Sequence, residues 1–326
     1  WDKENSHLFY NSLHSNHSNV LRVIQIDHKI NESVETAIKK EINHQYDISA
    51  DLLFRPYLII LGNNSYLYIS AHHLVIDAVS WQIILDDLTK LLLSDNDEYI
   101  ALPEKTASFS YYANKYTNWV KSIPINHSFW KEQFDAAKQF NIEFYKNGCT
   151  EAITNCFELN EKTTLELMEK ANFPYSTYTE ELLLLAVYRT LKELQIKDEI
   201  IFEMEHHGRN QIEEVDTSRT VGWFTQIYPL KLNIGVDSLS QQILETKEKM
   251  REAKKIAHEY GKYLLDGKYM PIQARFNYLG EPTGVKNNCF TLEKILFYWD
   301  ISTQNKSTVL FDIVAIVINK KMNFYM

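Results

Sequence analysis

Long apolar runs are missing from this 326-residue chain. The longest, LLLLAVY at Leu182–Tyr188, falls far short of the roughly 18 residues a membrane-spanning helix needs. No signal peptide is expected at the opening, and the abrupt start at Trp1 without methionine reads as a piece of a larger polypeptide. Basic clusters interleaved with aromatics are absent as well. Lys and Arg number 34 against 43 Asp and Glu, a net charge of −9. Phosphate backbones and anionic lipid surfaces need a basic face, so nucleic acid and membrane are excluded as partners. The three cysteines, Cys149, Cys156 and Cys289, form no CxxC pair. That argues against a thiolate zinc site and for a reducing, cytoplasmic setting. Low-complexity tracts and visible internal repeats are also lacking.

What is present is an ordinary globular composition, 45% hydrophobic and 24% charged, with 20 Tyr and 16 Phe to fill large interiors. The length exceeds one usual hydrophobic core, so two lobes are expected. Along the chain, NVLRVIQID (19–27) reads as a strand and SVETAIKKEINH (33–44) as an amphipathic helix capped by Ser33. RPYLIILGNNSYLYISAHH reads as a hairpin about Gly62-Asn63-Asn64. A helix follows from about Ser80, with Ile84, Leu88 and Leu91 on one stripe, and an aromatic-rich helical section spans about 108–140. The polar stretch YKNGCTEAITN (145–155) is the expected boundary, giving lobes 1–147 and 148–326. The second half repeats the rhythm: strand NCFELN, helices at about 161–171 and 180–194, strands EIIFEMEHH and IYPLKLN, a long charged helix over 238–258, then strands in MPIQARFNYLG and TVLFDIVAIVINKKMNFYM. The fold class is α/β with mixed sheets.

The stretch SAHHLVIDAVSW (70–81) carries the most chemistry. If the strand continues through both histidines, alternation sends His72 and His73 to opposite faces, which weakens a metal reading. Asp77 falls in the turn before the helix, where it accepts backbone N–H groups or pairs with a cation. A structural histidine at a strand end, with Asp77 as a turn residue, stands beside the acid–base reading. Three further blocks bear on the choice: EHHGRN (205–210) at a strand end, RTVGWFTQIYP (219–229), and FNYLG (276–280).

In this order and at these separations, HHLVIDAVSW, EHHGRN, RTVGWFTQIYP and FNYLG resemble the epimerization domains of nonribosomal peptide synthetases, within the condensation-domain superfamily. The resemblance covers about residues 20–325. It implies two chloramphenicol-acetyltransferase-like lobes in a V-shaped pseudo-dimer with a tunnel between them. It implies no intrinsic cofactor and no metal, the substrate arriving on the 4′-phosphopantetheine arm of a peptidyl carrier protein, with a downstream condensation domain as a second partner and a monomeric domain within a multidomain synthetase. The implied reaction is L-to-D epimerization at Cα of an aminoacyl or peptidyl thioester. By match to the motifs, His73 and Glu205 are the catalytic candidates, and His72, Asp77, Arg219, Asn277 and Tyr278 support them. A deprotonation–reprotonation at Cα needs groups on both faces of a planar enolate. Glu205 is expected to serve one face once burial raises its pKa, and His73 the other face or the enolate oxygen.

Further expectations follow. Asp77 and Arg219 brace the site or form a pair, and of Asn277 and Tyr278 only one faces it, Tyr278 being the structural one. His206 and His207 are loop residues, and Trp223 and Phe224 pack between the lobes. Ala78 stands where the family motif has glycine, so the turn there should be strained or altered. His206 and Asn210 also depart from the family's EGHGRE block. KKIAHEYGKYLL replaces a segment usually rich in proline and glycine, and both ends look short of the family's outer strands. Two other functions compete: peptide-bond formation by a condensation domain, and a catalytically silent carrier-docking member.

Overall fold

The computed structural model describes residues 21–26, 47–49, 51–93, 101–138, 153–194, 198–235, 238–281, 307 and 309–326. The chain divides into two compact units, one formed by Trp1–Asp77 with Val221–Trp223 and the other by Ala78–Thr220 with Phe224–Met326. The expected helix at 33–44 and most of the expected boundary at 145–155 lie outside the described residues.

The first unit contains a three-stranded sheet in the order β1-β2-β3. Strand β1 (Arg22–Ile26) runs parallel to β2 (Phe54–Leu61), and β2 pairs antiparallel with β3 (Asn64–Ala71). The β2–β3 hairpin closes through Gly62 and Asn63, with Leu61 opposite Asn64. Glycine suits the first loop position because φ there is +61°, a conformation that side chains disfavour. Tyr57 and Ile59 point from β2 into buried space, two residues apart as strand alternation requires.

The second unit is built on a six-stranded mixed sheet, order β4-β9-β8-β7-β5-β6. Its strands are β4 (Cys156–Glu158), β5 (Ile200–His206), β6 (Gln226–Leu232), β7 (Ala274–Tyr278), β8 (Phe311–Ile318) and β9 (Lys321–Tyr325). Strand β7 is parallel to both neighbours, β5 and β8, and the other pairings are antiparallel. The β8–β9 loop is Asn319-Lys320, both with positive φ, the geometry of a type I′ turn.

Helices in the described residues are α1 (Ala78–Leu93), α2 (Phe109–Ser122), α3 (His127–Ala137), α4 (Glu161–Leu165, extended by a π-turn over Glu166–Lys170), α5 (Thr179–Glu193) and α6 (Leu239–Leu265). Helix α6 is opened by a capping box, Ser238 with Gln241. It buries Ile243, Thr246, Met250, Ala253, Ala257 and Tyr260, a three–four spacing that lays one stripe on the sheet. Helix α5 matches it with Leu184, Tyr188 and Leu191. Its buried Glu181 is held by Arg251 of α6 at 2.6 Å. One continuous core of sheet and helix side chains results, including Phe202, Met204, Tyr228, Phe276 and Trp130.

Several local expectations are corrected. Helix α1 begins at Ala78, two residues before Ser80, and Ala78 is not among the positive-φ residues. As the first residue of a right-handed helix, Ala78 takes alanine without strain. The stripe on α1 is also different. Ser80, Ile83 and Thr89 are buried while Leu91 is exposed. The section 108–140 is two helices, separated at Ile123–Asn126. Helix α6 runs on through KKIAHEYGKYLL to Leu265.

Candidate functional site

The histidine stretch departs from a continuing strand. Strand β3 stops at Ala71, and His73–Val75 form a single 3-10 turn. His72 caps that turn, its Nδ1 accepting from the Leu74 backbone N–H at 3.2 Å. Burial, then the neighbouring His73, lowers the pKa of His72. An imidazole that accepts at Nδ1 must keep that lone pair free, so the electrostatics and the cap agree. His72 is still extended, its backbone N–H donating to the Leu53 carbonyl at 2.8 Å, and the chain turns at His73, so strand alternation does not carry through both rings. His73 is exposed and its ring lies 5.1 Å from that of Trp223, within the same unit. Asp77 is 3% exposed.

The glutamate stretch is set by the larger sheet. Glu203 and Glu205 share one face of β5, and Arg275 and Asn277 share that face of β7 through the register Glu203↔Arg275. Asn277 Nδ2 donates to Glu205 Oε2 at 2.7 Å. Arg275 donates from Nε to Glu203 Oε1 at 2.6 Å and from Nη1 to Asp312 Oδ2 of β8 at 2.8 Å. Opposite Glu205 on β6 stands Ile227. Burial raises the Glu205 carboxyl to about 7; Arg275 and the Asn277 bond oppose that rise, and Glu203 and Asp312 add to it. A carboxylate poised there can take or return a proton at neutral pH.

Tyr278, next along β7, points to the other face and packs against the main core. Its hydroxyl pKa is raised by burial. Of the FNYLG pair, Asn277 is thus the one on the Glu205 face.

His206 is the last residue of β5 rather than a loop residue, and only His207 lies beyond the strand. Burial, followed by the nearby His207, Lys254 and His258, depresses His206 to about 4. The two rings stack 4.4 Å apart, and their Nδ1 atoms accept from the N–H groups of Gly208 and Arg209. These bonds shape the turn that follows Glu205.

Arg219 pairs with Asp87 of α1, its Nη2 donating to both carboxylate oxygens at 2.7 and 2.5 Å. Within its own unit, its carboxylate partner is Asp87. The helical period that carries Asp87 round to the 219 loop is invisible in the linear spacing of HHLVIDAVSW.

Two residues escape a reading of the sequence. Arg209, 5% exposed, donates to the carbonyls of Thr217 (3.0 Å) and Thr220 (2.7 Å) and to Ser80 Oγ (3.0 Å). Its guanidinium lies 4.1 Å over the Phe224 ring. Tyr112 donates its hydroxyl to the Gly208 carbonyl. Gly208 itself has φ +66°, and a Cβ there would meet the Phe224 carbonyl oxygen at 2.0 Å. The arginine of EHHGRN and the last serine of SAHHLVIDAVSW, Ser80, were the signals in the sequence. They are two ends of one bond.

A protein-family model for the condensation domain matches residues 3–326. The chain belongs to the condensation-domain family. Gramicidin S synthase 1 of Brevibacillus brevis is 34% identical to it over 70% of this chain and 23% of its own length. Bacitracin synthase 3 of Bacillus licheniformis is 29% identical over 74% of this chain and 4% of its own length. The chain thus spans a small part of the curated relatives it matches. Among solved structures, the epimerization domain from the third module of tyrocidine synthetase B superposes with TM-score 0.72 at 25% identity, covering 94% of this chain and 73% of that one. The condensation domain of the Monacolin K polyketide synthase superposes with TM-score 0.67 at 15% identity over 94% of this chain and 73% of that one. The family fold is the mixed α/β arrangement described above.

Proposed function

We propose that this condensation-family chain epimerizes the Cα centre of an aminoacyl or peptidyl thioester in nonribosomal peptide synthesis. The substrate is carried on the phosphopantetheine arm of a carrier protein, and the chain needs no cofactor of its own. Glu205 carries the reading: a carboxyl raised to about 7, oriented by the Asn277 amide at 2.7 Å. Its carboxylate takes the Cα proton and leaves an enolate, and a proton delivered to the opposite face completes inversion. His73 is assigned the opposite face or the enolate oxygen. Each such group contributes on the order of 10²–10⁴-fold, and a donor at the oxyanion a further ~10²–10³-fold. Peptide-bond formation needs no carboxyl base at Glu205. The likeness to a tyrocidine synthetase epimerization domain favours the same side. A peptidyl carrier protein and a downstream condensation domain are the corresponding partners.

A second reading is supported by the condensation-domain structures that share the fold: amide formation between two carrier-bound substrates. Supplying one L-aminoacyl carrier and then two separates the readings. Scrambled configuration from a single substrate supports epimerization. A dipeptide formed only from two, with configuration retained, supports condensation and overturns the first reading.

A further inference from the structure

The Glu205 face of the sheet holds more charge than proton transfer by one carboxyl requires. Glu203, Arg275 and Asp312 form a row across three strands, β5, β7 and β8, set by the register Glu203↔Arg275↔Asp312. Arg275 spans the row with bonds of 2.6 Å to Glu203 and 2.8 Å to Asp312. The next row along the same face holds Glu205 and Asn277, joined by an amide-to-carboxylate bond. An arginine beside a half-buried glutamate ordinarily captures it as an ion pair and holds it ionised. Here both guanidinium bonds run sideways.

We propose that Arg275 is a positioning residue for Glu205, clamped between Glu203 and Asp312 so that its charge is neutralised across the sheet and not by the Glu205 carboxylate. The clamp carries two negative charges and one positive, so the two acids offset the pull of Arg275 on Glu205. Asn277 then orients the carboxyl with a neutral donor, which fixes direction without the pull of a cation. Among the described residues, the groups that face Glu205 fit this arrangement. Glu203 lies on its own strand, Arg275 and Asn277 on β7, Asp312 on β8, and the apolar Ile227 on β6. The signs agree with the geometry, since Arg275 pulls the Glu205 pKa down while Glu203 and Asp312 push it up.

This inference rests on the epimerase reading for its purpose but not for its test. The full chain, labelled at the glutamate side-chain carboxyl carbon, is titrated by NMR, with Glu205→Gln assigning the signal. Exchange of the substrate Cα proton is followed in parallel. Asp312→Asn and Glu203→Gln free Arg275 to attract Glu205, so its titration midpoint moves to lower pH. Arg275→Gln removes the cation and moves the midpoint to higher pH. A shift of about half a unit changes the ionised fraction, and with it the rate on the acid limb, by about threefold. Opposite displacements from the acid and base substitutions support the clamp. Midpoints that stay put, or move the same way for all three, overturn it; a merely structural role would lower activity without this sign reversal. Asp312, at the partly exposed end of the row, keeps the test decisive if the Arg275 variant does not fold. If Glu205 titrates and shifts as stated while no Cα exchange occurs in the parent chain, the clamp stands and the epimerase reading fails.

Discussion

The histidine stretch and the glutamate stretch are built by opposite means. His72 and His73 sit at a single 3-10 turn shaped by bonds between residues two and three apart. Glu205 is placed by strands whose pairing residues lie 72 apart, and its surroundings are completed by Asp312 from a third strand. The local turn leaves His73 exposed. A strand end within a sheet buries its side chain and surrounds it with charges fixed by register. Long-range strand pairing sets the chemistry of the glutamate, whereas short-range turn geometry sets the placement of the histidines.

The largest effect is expected at Gly208. Gly208→Ala puts a methyl carbon 2.0 Å from the Phe224 carbonyl at a positive φ, so the loop after Glu205 must move. A loss of roughly 2–4 kcal/mol is expected, read as a lowered thermal midpoint. Arg209→Met is next, because it leaves the Thr217 and Thr220 carbonyls and Ser80 without their buried donor. About 2–3 kcal/mol should be lost in denaturant titration. Either variant leaving stability untouched would show that the turn after β5 is not what fixes the glutamate side.

The raised Glu205 pKa makes a further, signed prediction. The folded state holds the proton up to about pH 7, whereas an unfolded glutamate releases it near 4.3. The folded state therefore binds more protons between those values, and stability falls as pH rises through that window. Glu205→Gln should remove this loss, stabilising the chain at pH 8 by roughly 1–3 kcal/mol and having little effect at pH 4. Unfolding curves for the two chains that stay parallel from pH 4 to 8 would contradict the burial account.

The smallest effect belongs to the histidine side. His72→Ala removes one turn cap and should cost about 0.5–1 kcal/mol of stability. A much larger loss would mean that the His72 side chain does more than cap the turn.

Much of this was legible in the sequence, and for identifiable reasons. Apolar runs such as EIIFEM and FDIVAIVI declared buried strands, and Gly62-Asn63 announced its hairpin. The FNYLG pair was separable by alternation alone, because consecutive strand residues face opposite ways. The clamp on Arg275 was not legible, since nothing in a linear string states that Glu203, Arg275 and Asp312 share one register row. Asp87 and Ser80 were missed for a related cause. The apolar stripe Ile84, Leu88 and Leu91 points to another face of α1, yet its buried face carries Ser80, which receives the Arg209 guanidinium from a distant loop. Ala78 misled in the other direction: a glycine in the family motif suggested strain, where a helix start tolerates alanine.

The claim on which the account turns is that the Glu205 carboxyl moves the substrate's α-proton. Deuterium incorporation at Cα of a carrier-bound aminoacyl thioester, compared between the parent chain and Glu205→Gln, measures it directly. Rapid incorporation by the parent and a fall of about 10²-fold or more in the variant is the expected result. A variant that keeps most of the parent's exchange would contradict the account.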